Sequence, residues 1–351
     1  MISDANIFLF DVIGGKFTGK GVLPYKSVVW EMGFVESGAL QIVYDRNSET
    51  EARVTVGTFA RFQDLPWLPQ CLMYIHTVKI TRDEVWAYGY EAKELLKKCE
   101  LRPQPQWGEQ NLTDTITDIF VFNVPYSWFM KYDGEGDLAG LRAADMGEAN
   151  IGNLDYMNVF EYIAECCKLK GFGFTVDMDL YENVGKAILY IYEADDHTDK
   201  ARFSPMLGNL DEYTYVVSDK GWHNIVTAIG MDTDGETEIY EQVTNREQDE
   251  EKYSVILDLR TEMPRDEGVS MADYRSALQT RARMSLGQRK TKRIIDVQDS
   301  TVAQGALEYN VGWLVKIILP AFGLSVTKVI SKVAFIYEKG QSRVKYTFGT
   351  P

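Results

Sequence analysis

The chain has 351 residues, enough for about two or three domains, and 45% hydrophobic with 25% charged residues is an ordinary globular composition. The 52 acidic residues outnumber the 37 basic ones, so the formal net charge is −15. Such a surface repels phosphate backbones and disfavours sequence-specific DNA or RNA binding. Twenty Tyr, sixteen Phe and seven Trp favour sheets and interfaces over helical bundles.

Residues 1–100 are predicted to be mainly strands, because β-branched and aromatic residues recur in short runs separated by turns. Short strands at this spacing favour a barrel or sandwich. The glycines between Gly14 and Gly21 indicate a flexible arm or hairpin, since no phosphate-binding motif follows them. A short helix is expected at 90–99, before Pro103. The predicted strands are 28–35, 38–44, 52–59, 72–80 and 84–90.

The middle of the chain is predicted to be mixed α/β. Apolar residues recur at helical spacing in 113–123, and 133–140 has the composition of a mobile loop. The clearest helix is 155–170, with Asp155 as its cap and Gly171 as its stop. Strands are expected at 172–177 and 187–192, so a helix–strand–strand unit occupies about 155–195.

Strands return after residue 203, around one further helix at 271–286. Met271, Tyr274, Leu278 and Ala282 give that helix an apolar face. Segment 232–267 has thirteen acidic and four basic residues, whereas 275–293 is basic. A protein contact between these two segments, within the chain or with a neighbour, is favoured over nucleic-acid binding, because interleaved aromatic residues are missing. The predicted strands are 212–218, 223–231, 238–243, 253–259, 314–319, 326–337 and 343–348.

Residues suited to catalysis or metal binding are few. The acidic run 193–199 with His197 has carboxylates and an imidazole for a divalent cation, but it lacks a calcium-loop rhythm, so a solvated turn is favoured. His76 and His223 are the only other histidines, and no G-x-S-x-G motif occurs. A glycosidase-type carboxylate pair stays open among 52 acidic residues. We predict no catalytic, cofactor-binding or metal-binding residue and no cofactor.

Targeting and redox features indicate a soluble protein of a reducing compartment. No basic region precedes the first short apolar run, so no cleavable secretory signal is expected. The apolar stretch 311–324 is broken by Lys316 and Pro320, so no membrane span is expected. The cysteines lack ligand-like spacing and are expected to be buried free thiols: Cys71, Cys99, Cys166 and Cys167.

The order of these segments is similar to that of a known family. The segments that carry the likeness are the strand pair 34–44, the run 75–90 with Leu95 and Leu96 after it, the helix 159–169 with Gly171–Phe174, the strand 189–193, the loop 195–199, 202–204, 208–210, the strands 213–218 and 224–230, 257–260 with the basic helix, and the last strand ending at Gly349. In this order the chain resembles the siphophage Gp37-like tail proteins, relatives of the hub region of tail-associated lysins and of contractile-phage baseplate hubs.

The resemblance implies a mainly β fold with α+β insertions, in which two barrel-like domains of the tail-hub type carry smaller α/β domains. The implied domains are 1–102 (barrel-like), 103–202 (α/β insertion) and 203–351 (barrel-like, with the helix at about 271–286, and possible discontinuity of the strands). Three copies would form a ring at the tail tip of the virion, after assembly in the host cytoplasm. The candidate intersubunit contacts are Asp249, Glu250, Glu251, Arg275, Arg281, Arg283, Arg289 and Arg293.

The implied function is structural. The ring would join the distal tail protein to receptor-binding or fibre proteins and gate the passage of the tape-measure protein and DNA, which would only cross its lumen. Longer relatives continue into peptidase, lysozyme or fibre regions, whereas this sequence stops at Pro351, so cell-wall degradation is expected on another polypeptide. Two alternatives stay open: a tail-tip glycan hydrolase with a carboxylate pair, and a glycan-binding module that uses Trp67, Trp107, Trp128 or Trp222.

Overall fold

The structure, a computed structural model, describes residues 6–13, 16–62, 70–101, 110–124, 141–150, 157–178, 187–210, 212–217, 223–246, 251–288, 293–303 and 309–349. Strands outnumber helices, as the sequence predicts for a mainly β protein. None of the helices in these ranges combines the length and the apolar character needed to cross a membrane.

The elements up to residue 203 alternate between β-rich and α/β stretches. The helices there are α1 (Ser48–Arg53), α2 (Leu112–Asn123), α3 (Val159–Lys170) and a 3₁₀ helix, Ala92–Lys98. The strands are β1 (Ile7–Ile13), β2 (Lys16–Val22), β3 (Tyr25–Gly33), β4 (Ala39–Asp45), β5 (Phe59–Phe62), β6 (Met73–Ile80), β7 (Glu84–Glu91), β8 (Gln110–Asn111), β9 (Leu141–Ala143), β10 (Glu148–Ala149), β11 (Phe172–Met178), β12 (Ala187–Glu193), β13 (Asp195–Asp196) and β14 (Arg202–Phe203).

The remaining elements contain one long helix, α4 (Met271–Gln288), and two 3₁₀ helices, Pro205–Leu207 and Pro320–Phe322. The strands are β15 (Glu212–Val217), β16 (Ile225–Met231), β17 (Glu238–Thr244), β18 (Ser254–Asp258), β19 (Arg293–Ala303), β20 (Trp313–Leu319), β21 (Leu324–Glu338) and β22 (Gln341–Gly349).

One large sheet joins the two ends of the chain. Its order is β15-β19-β22-β21-β3-β4-β7-β6-β5-β1-β2, with β20 beside β21 and the short β13 and β14 beside β20. Near the middle of this order, β3 pairs with β21 in antiparallel fashion, and Trp30 lies opposite Phe335 in the ladder. The order ends at β2 and β15, and no ladder between the described strands closes it into a barrel.

The core of the large sheet follows from strand alternation. Val28, Trp30 and Met32 of β3 are buried and point to one side, as residues two apart in a strand must. The ring of Trp30 meets Phe62 edge-on at 4.6 Å, and Phe62 meets Phe335 at 5.4 Å. Edge-to-face contacts of this kind add stability beyond the buried area. Residues from both ends of the chain therefore share one core.

The helix–strand–strand unit predicted at 155–195 is confirmed. Helix α3 packs on a three-stranded sheet of order β11-β12-β9, and every residue of β11 is buried. Gly171 ends α3 in the left-handed conformation, with φ of 75°, which suits a residue without a Cβ. The helix starts later than predicted, because the side chain of Asn158 accepts a hydrogen bond from the Glu161 N–H. The predicted cap, Asp155, lies outside the described residues.

We expect Asn158→Ala to lower the free energy of unfolding by about 1 kcal/mol, because it leaves an N–H of the first turn of α3 without its side-chain acceptor. Asn158→Ser, which restores an acceptor, should recover most of this loss. Urea unfolding of both variants checks the expectation. Equal stabilities for the Ala and Ser variants would contradict it.

Two further sequence predictions need correction, although most predicted strands after residue 203 match the structure. Residues 52–59 were predicted as a strand, but 48–53 are helical, because Asn47 accepts a hydrogen bond from the Thr50 N–H and caps α1. The strand β19 was not predicted at all. The suggested loop at 133–140 and all four tryptophans proposed for glycan binding lie outside the described residues.

Two buried ion pairs fix α3 and its sheet β11-β12-β9, together called the α/β unit, to the large sheet. The Lys93 ammonium lies 3.0 Å from Glu91 Oε2 and donates hydrogen bonds to the carbonyl oxygens of Gly33, at 2.7 Å, and Phe174, at 2.9 Å. Burial raises the pKa of Glu91, and Lys93 acts against this shift. In the second pair, Arg61 of β5 donates to both carboxylate oxygens of Asp177 on β11.

Phe34 fills the same junction. A Cβ added to Gly173 would lie 2.1 Å from its ring, and one added to Gly312 would lie 2.8 Å from it. The Phe174 N–H also donates to the Phe34 carbonyl oxygen, at 3.0 Å. The two glycines therefore allow β11 and the segment before β20 to approach Phe34 more closely than side chains would permit.

Candidate assembly surfaces

The helix predicted at 271–286 exists, and its apolar face is buried as expected. Tyr274, Leu278 and Ala282 of α4 lie on a small sheet of order β17-β16-β18. The Tyr274 hydroxyl accepts from the Met231 N–H at 2.9 Å and donates to the Met263 carbonyl oxygen at 2.7 Å. A Cβ on Gly230 would lie 2.2 Å from this hydroxyl. Glycine at position 230 thus makes room for the tyrosine that fixes the helix.

Two of the arginines proposed as intersubunit contacts, Arg275 and Arg283, also make contacts within their own chain. Arg275 Nη1 donates to Glu241 Oε1 at 2.6 Å, and Gln279 donates to the other oxygen of Glu241 at 2.7 Å. The exposed Arg283 donates to Gln279 at 3.5 Å. Contact between the acidic and basic segments within the chain was one of the two arrangements that the sequence allowed, and the pair formed by Arg275 and Glu241 is an instance of it.

Arg281 differs from the other arginines of α4 because it is largely buried. Its Nη1 has no hydrogen-bond partner among the residues that the structure describes. Burial lowers the pKa of this guanidinium, and the carboxylates of Glu165 on α3 and Glu262 act in the opposite direction. The Arg281 side chain therefore faces α3. The Asn150 side chain makes a separate contact with α4 and donates to the Asp273 carbonyl oxygen at 3.1 Å.

The other candidate contact residues have varied surroundings. Glu251 accepts a hydrogen bond from the Tyr253 hydroxyl at 2.6 Å. The backbone of Arg293 begins β19, opposite Val217. Asp249, Glu250 and Arg289 lie outside the described ranges. The structure thus gives surroundings to five of the eight candidates, and it brings no acidic residue of 249–251 against an arginine of α4 among the residues described.

The small sheet exposes the face that α4 does not cover. Tyr240 of β17 is 53% exposed, and Ile256 of β18 is 67% exposed. Their partners on β16 place them on the side opposite Ala228 and Leu257, which are packed under α4. We call this surface the open sheet face; its central residues are Thr227, Ile229, Tyr240 and Ile256. The period-two alternation of 238–244 is the signal that could have revealed it.

Acidic groups border the open sheet face. Arg260 Nη2 lies 2.6 Å from Asp258 Oδ2, and its Nη1 donates to Glu238, which also accepts a hydrogen bond from Tyr240. The bonds from Arg260 lower the pKa of Asp258 to about 2. Asp232, in the turn after β16, pairs with Arg265 at 2.6 Å beside Tyr274, on the side of the sheet that α4 covers. Arg260 offsets part of the acidic border, and the whole segment 232–267 keeps nine more acidic than basic residues.

The histidines form no catalytic arrangement with a nucleophile in the described part of the chain. His197 Nε2 lies 2.7 Å from Asp195 Oδ2, and its ring stacks on Trp313 at 3.7 Å. His76 stacks on Tyr90 at 4.9 Å. No cluster of three or more metal-binding side chains occurs among the described residues. The four cysteines are buried free thiols, as predicted.

Three carboxylates line a groove of about 470 Å³ between β3, β21 and the 3₁₀ helix Ala92–Lys98. Glu31 is 3.3 Å and Glu36 is 3.6 Å from the Lys332 ammonium, and Glu94 is 2.6 Å from Lys97. Each of these acidic groups is thus engaged in an ion pair. The arrangement is that of a structural charge network rather than two carboxylates facing an empty cleft.

The fold is similar to those of solved phage tail proteins. The 43 kDa tail protein of prophage MuSo2 from Shewanella oneidensis has 15% identity and a TM-score of 0.59, with 99% of this chain and 98% of that chain covered. A tail protein from Neisseria meningitidis MC58 has 10% identity and a TM-score of 0.61, with coverages of 97% and 96%. Prophage tail protein gp18 from Listeria monocytogenes EGD-e has 10% identity and a TM-score of 0.55, with coverages of 97% and 94%. At these identities the likeness concerns the fold.

The sequence itself matches one family model. The family model described as Siphovirus ReqiPepy6 Gp37-like protein matches residues 142–350, which is more than half of the chain. A search of curated proteins with the sequence of this chain found no match. The match includes the α/β unit, the small sheet with α4, and the strands β19–β22 of the large sheet. The chain therefore belongs to the Siphovirus ReqiPepy6 Gp37-like protein family and has the fold of phage tail proteins.

Proposed function

We propose that this protein is a structural component of the phage tail tip, a baseplate-hub protein. Three copies form a ring that joins the distal tail protein to receptor-binding or fibre proteins. The observation that carries the proposal is the match in fold to tail proteins along nearly the whole chain, together with the family match. The two barrel-like hub domains and the boundaries near 103 and 203 belong to this proposal.

The charge of the chain supports the gating role. A ring that passes the tape-measure protein and DNA benefits from acidic walls, because these repel the phosphate backbone. The net charge of −15 per copy favours such walls. The same charge makes copies repel one another at long range, so a ring needs local contacts between opposite charges or apolar surfaces. The eight candidate contact residues of 249–251 and 275–293 remain part of the proposal.

The oligomeric state tests the ring. We expect light scattering on the purified chain to give a mass near three times 40.0 kDa, and negative-stain averages of the same peak to show a threefold ring with a central hole. The measurement should be made over a range of protein concentrations and repeated with the distal tail protein co-expressed. A monomer under all of these conditions would contradict the ring.

The alternative, a glycan hydrolase at the tail tip, has a separate test. Purified cell-wall glycan incubated with the chain should stay intact if the role is structural. Release of soluble sugar by the wild-type chain, and its loss in Glu31→Gln or Glu94→Gln, would favour the hydrolase and direct attention to the groove between β3 and the 3₁₀ helix. These two variants are matched, since both remove a carboxylate that an adjacent lysine pairs.

A further inference from the structure

Two short 3₁₀ helices carry the most exposed apolar side chains at one end of the large sheet. The strand β14 runs parallel to β20, with Phe203 opposite Ile317, so the helices Pro205–Leu207 and Pro320–Phe322 that follow these strands lie at the same end. Met206 is 81% exposed, Leu207 60% and Phe322 47%. Each helix starts with proline and ends at a glycine in the left-handed conformation. The apolar groups are therefore held on short, well-defined turns.

Two cations, Arg202 and Lys316, lie on the strands that lead into these helices. Arg202 and Lys316 are direct partners in the β14–β20 ladder, an arrangement that places like charges opposite each other and destabilises the pair. Neither of the two is in an ion pair with a described residue. We call Arg202, Met206, Leu207, Lys316 and Phe322 the basic tip.

The open sheet face has the complementary character. Its centre is apolar, with Ile256 and Tyr240 exposed, and its border belongs to the acidic segment 232–267. Both surfaces are exposed in the same copy, so they do not cover each other within one chain. In a protein with a net charge of −15, a basic surface is also where another acidic copy can approach with least repulsion.

We infer that the basic tip of one copy docks on the open sheet face of the next copy. Met206, Leu207 and Phe322 pack on the apolar centre, and Arg202 and Lys316 meet the acidic border. The contact joins two different surfaces, so it is heterologous, and repetition of a heterologous contact closes a ring when the rotation permits. The inference rests on the proposed assembly of copies and names the surfaces that make it.

The test uses charge reversal on the full chain. Arg202→Glu combined with Lys316→Glu should weaken self-association by at least about tenfold, because it sets like charges against the acidic border. Lys79→Glu combined with Arg82→Glu is the matched control, since it changes the net charge equally at two exposed cations on another part of the sheet. Circular dichroism melts of both variants verify that they fold. Sedimentation velocity measures the association.

A mixing experiment tests whether the open sheet face is the surface that the basic tip binds. Ile256→Asp alters the open sheet face and should weaken self-association to a similar extent, so the two variants are mixed at a concentration at which each alone is monomeric. A one-to-one mixture of the tip variant and the face variant retains one intact junction, so it should form a dimer of two times 40.0 kDa but no ring. A mixture that stays monomeric, or variants that still form the wild-type oligomer, would overturn the inference and leave the proposed ring standing. A wild-type chain that never associates would overturn both.

One further arm separates a membrane from a second copy. Vesicles of phosphatidylglycerol and phosphatidylethanolamine offer an anionic surface on which exposed apolar and basic groups also bind. The expected result is that the wild-type chain and the tip variant sediment equally poorly with these vesicles. Strong vesicle binding that is lost in the tip variant, with self-association unchanged, would assign the basic tip to a lipid surface instead.

Discussion

Lys93→Met is expected to destabilise the protein by about 3–5 kcal/mol, because it leaves the Glu91 carboxylate buried without its counter-charge. Lys93 and Glu91 are fully buried, and the ammonium also holds the carbonyl oxygens of Gly33 and Phe174, one on each side of the junction. The substitution therefore removes a charge and two hydrogen bonds between the large sheet and the α/β unit. The midpoint and slope of urea unfolding measure the loss.

The control for this variant is Lys168→Met. Lys168 is exposed and lies 3.5 Å from Glu165, and pairs of this kind contribute about 1 kcal/mol or less. Adding Glu91→Gln to Lys93→Met should recover part of the stability, since it removes the uncompensated charge. If Lys93→Met cost no more than Lys168→Met, the buried pair would have no structural role.

Gly173→Ala is expected to lower the free energy of unfolding by about 1–3 kcal/mol or more, because the new methyl group has no space. Its Cβ would lie 2.1 Å from the Phe34 ring and 2.8 Å from the Phe34 carbonyl oxygen. Both residues are buried, so β11 must move away from the large sheet. Hydrogen exchange at the amide of Phe174, which is bonded to Phe34, should accelerate along with the loss of stability.

Gly19→Ala is the matched control, because a Cβ at Gly19 in β2 meets nothing within 4 Å. That variant should be as stable as the wild type or slightly more so, since alanine restricts the unfolded chain. Phe34→Leu introduced into Gly173→Ala should restore part of the stability by relieving the overlap. A Gly173→Ala variant with wild-type stability and exchange would contradict the close approach of β11 to Phe34.

Local patterns predicted much of the secondary structure. The spacing of Tyr274, Leu278 and Ala282 predicted both α4 and its buried face, because one local pattern of apolar residues determines the helix and the side that it buries. The run 52–59 misled because Val54 and Val56 are β-branched, whereas the competing signal was the single cap residue Asn47.

Such local patterns could not predict which distant strands pair with each other. Nothing near β3 indicates that β21 is its neighbour, since any compatible strand edge satisfies the same backbone groups. Prediction of the candidate contact residues is limited in the same way, because their partners are also distant in the sequence. The sequence displays the basic character of 275–293. Only the fold shows that Arg275 pairs with Glu241, and that Arg202 lies opposite Lys316 with neither in an ion pair among the described residues.

The pairing of β3 with β21 also has a consequence for synthesis. Glu31 and Lys332 are 301 positions apart in the chain, and ribosomes add about 5–20 residues per second, so roughly 15–60 s separate the two neighbours at the exit tunnel. During that interval one edge of β3 has no partner, and a bare edge of this kind is prone to pair with other chains. Nascent chains that stop before β21 should therefore bind chaperones and accumulate in inclusion bodies. In completed chains the pairing of β21 with β3 should be a slow folding step, because the contact joins residues far apart in the sequence.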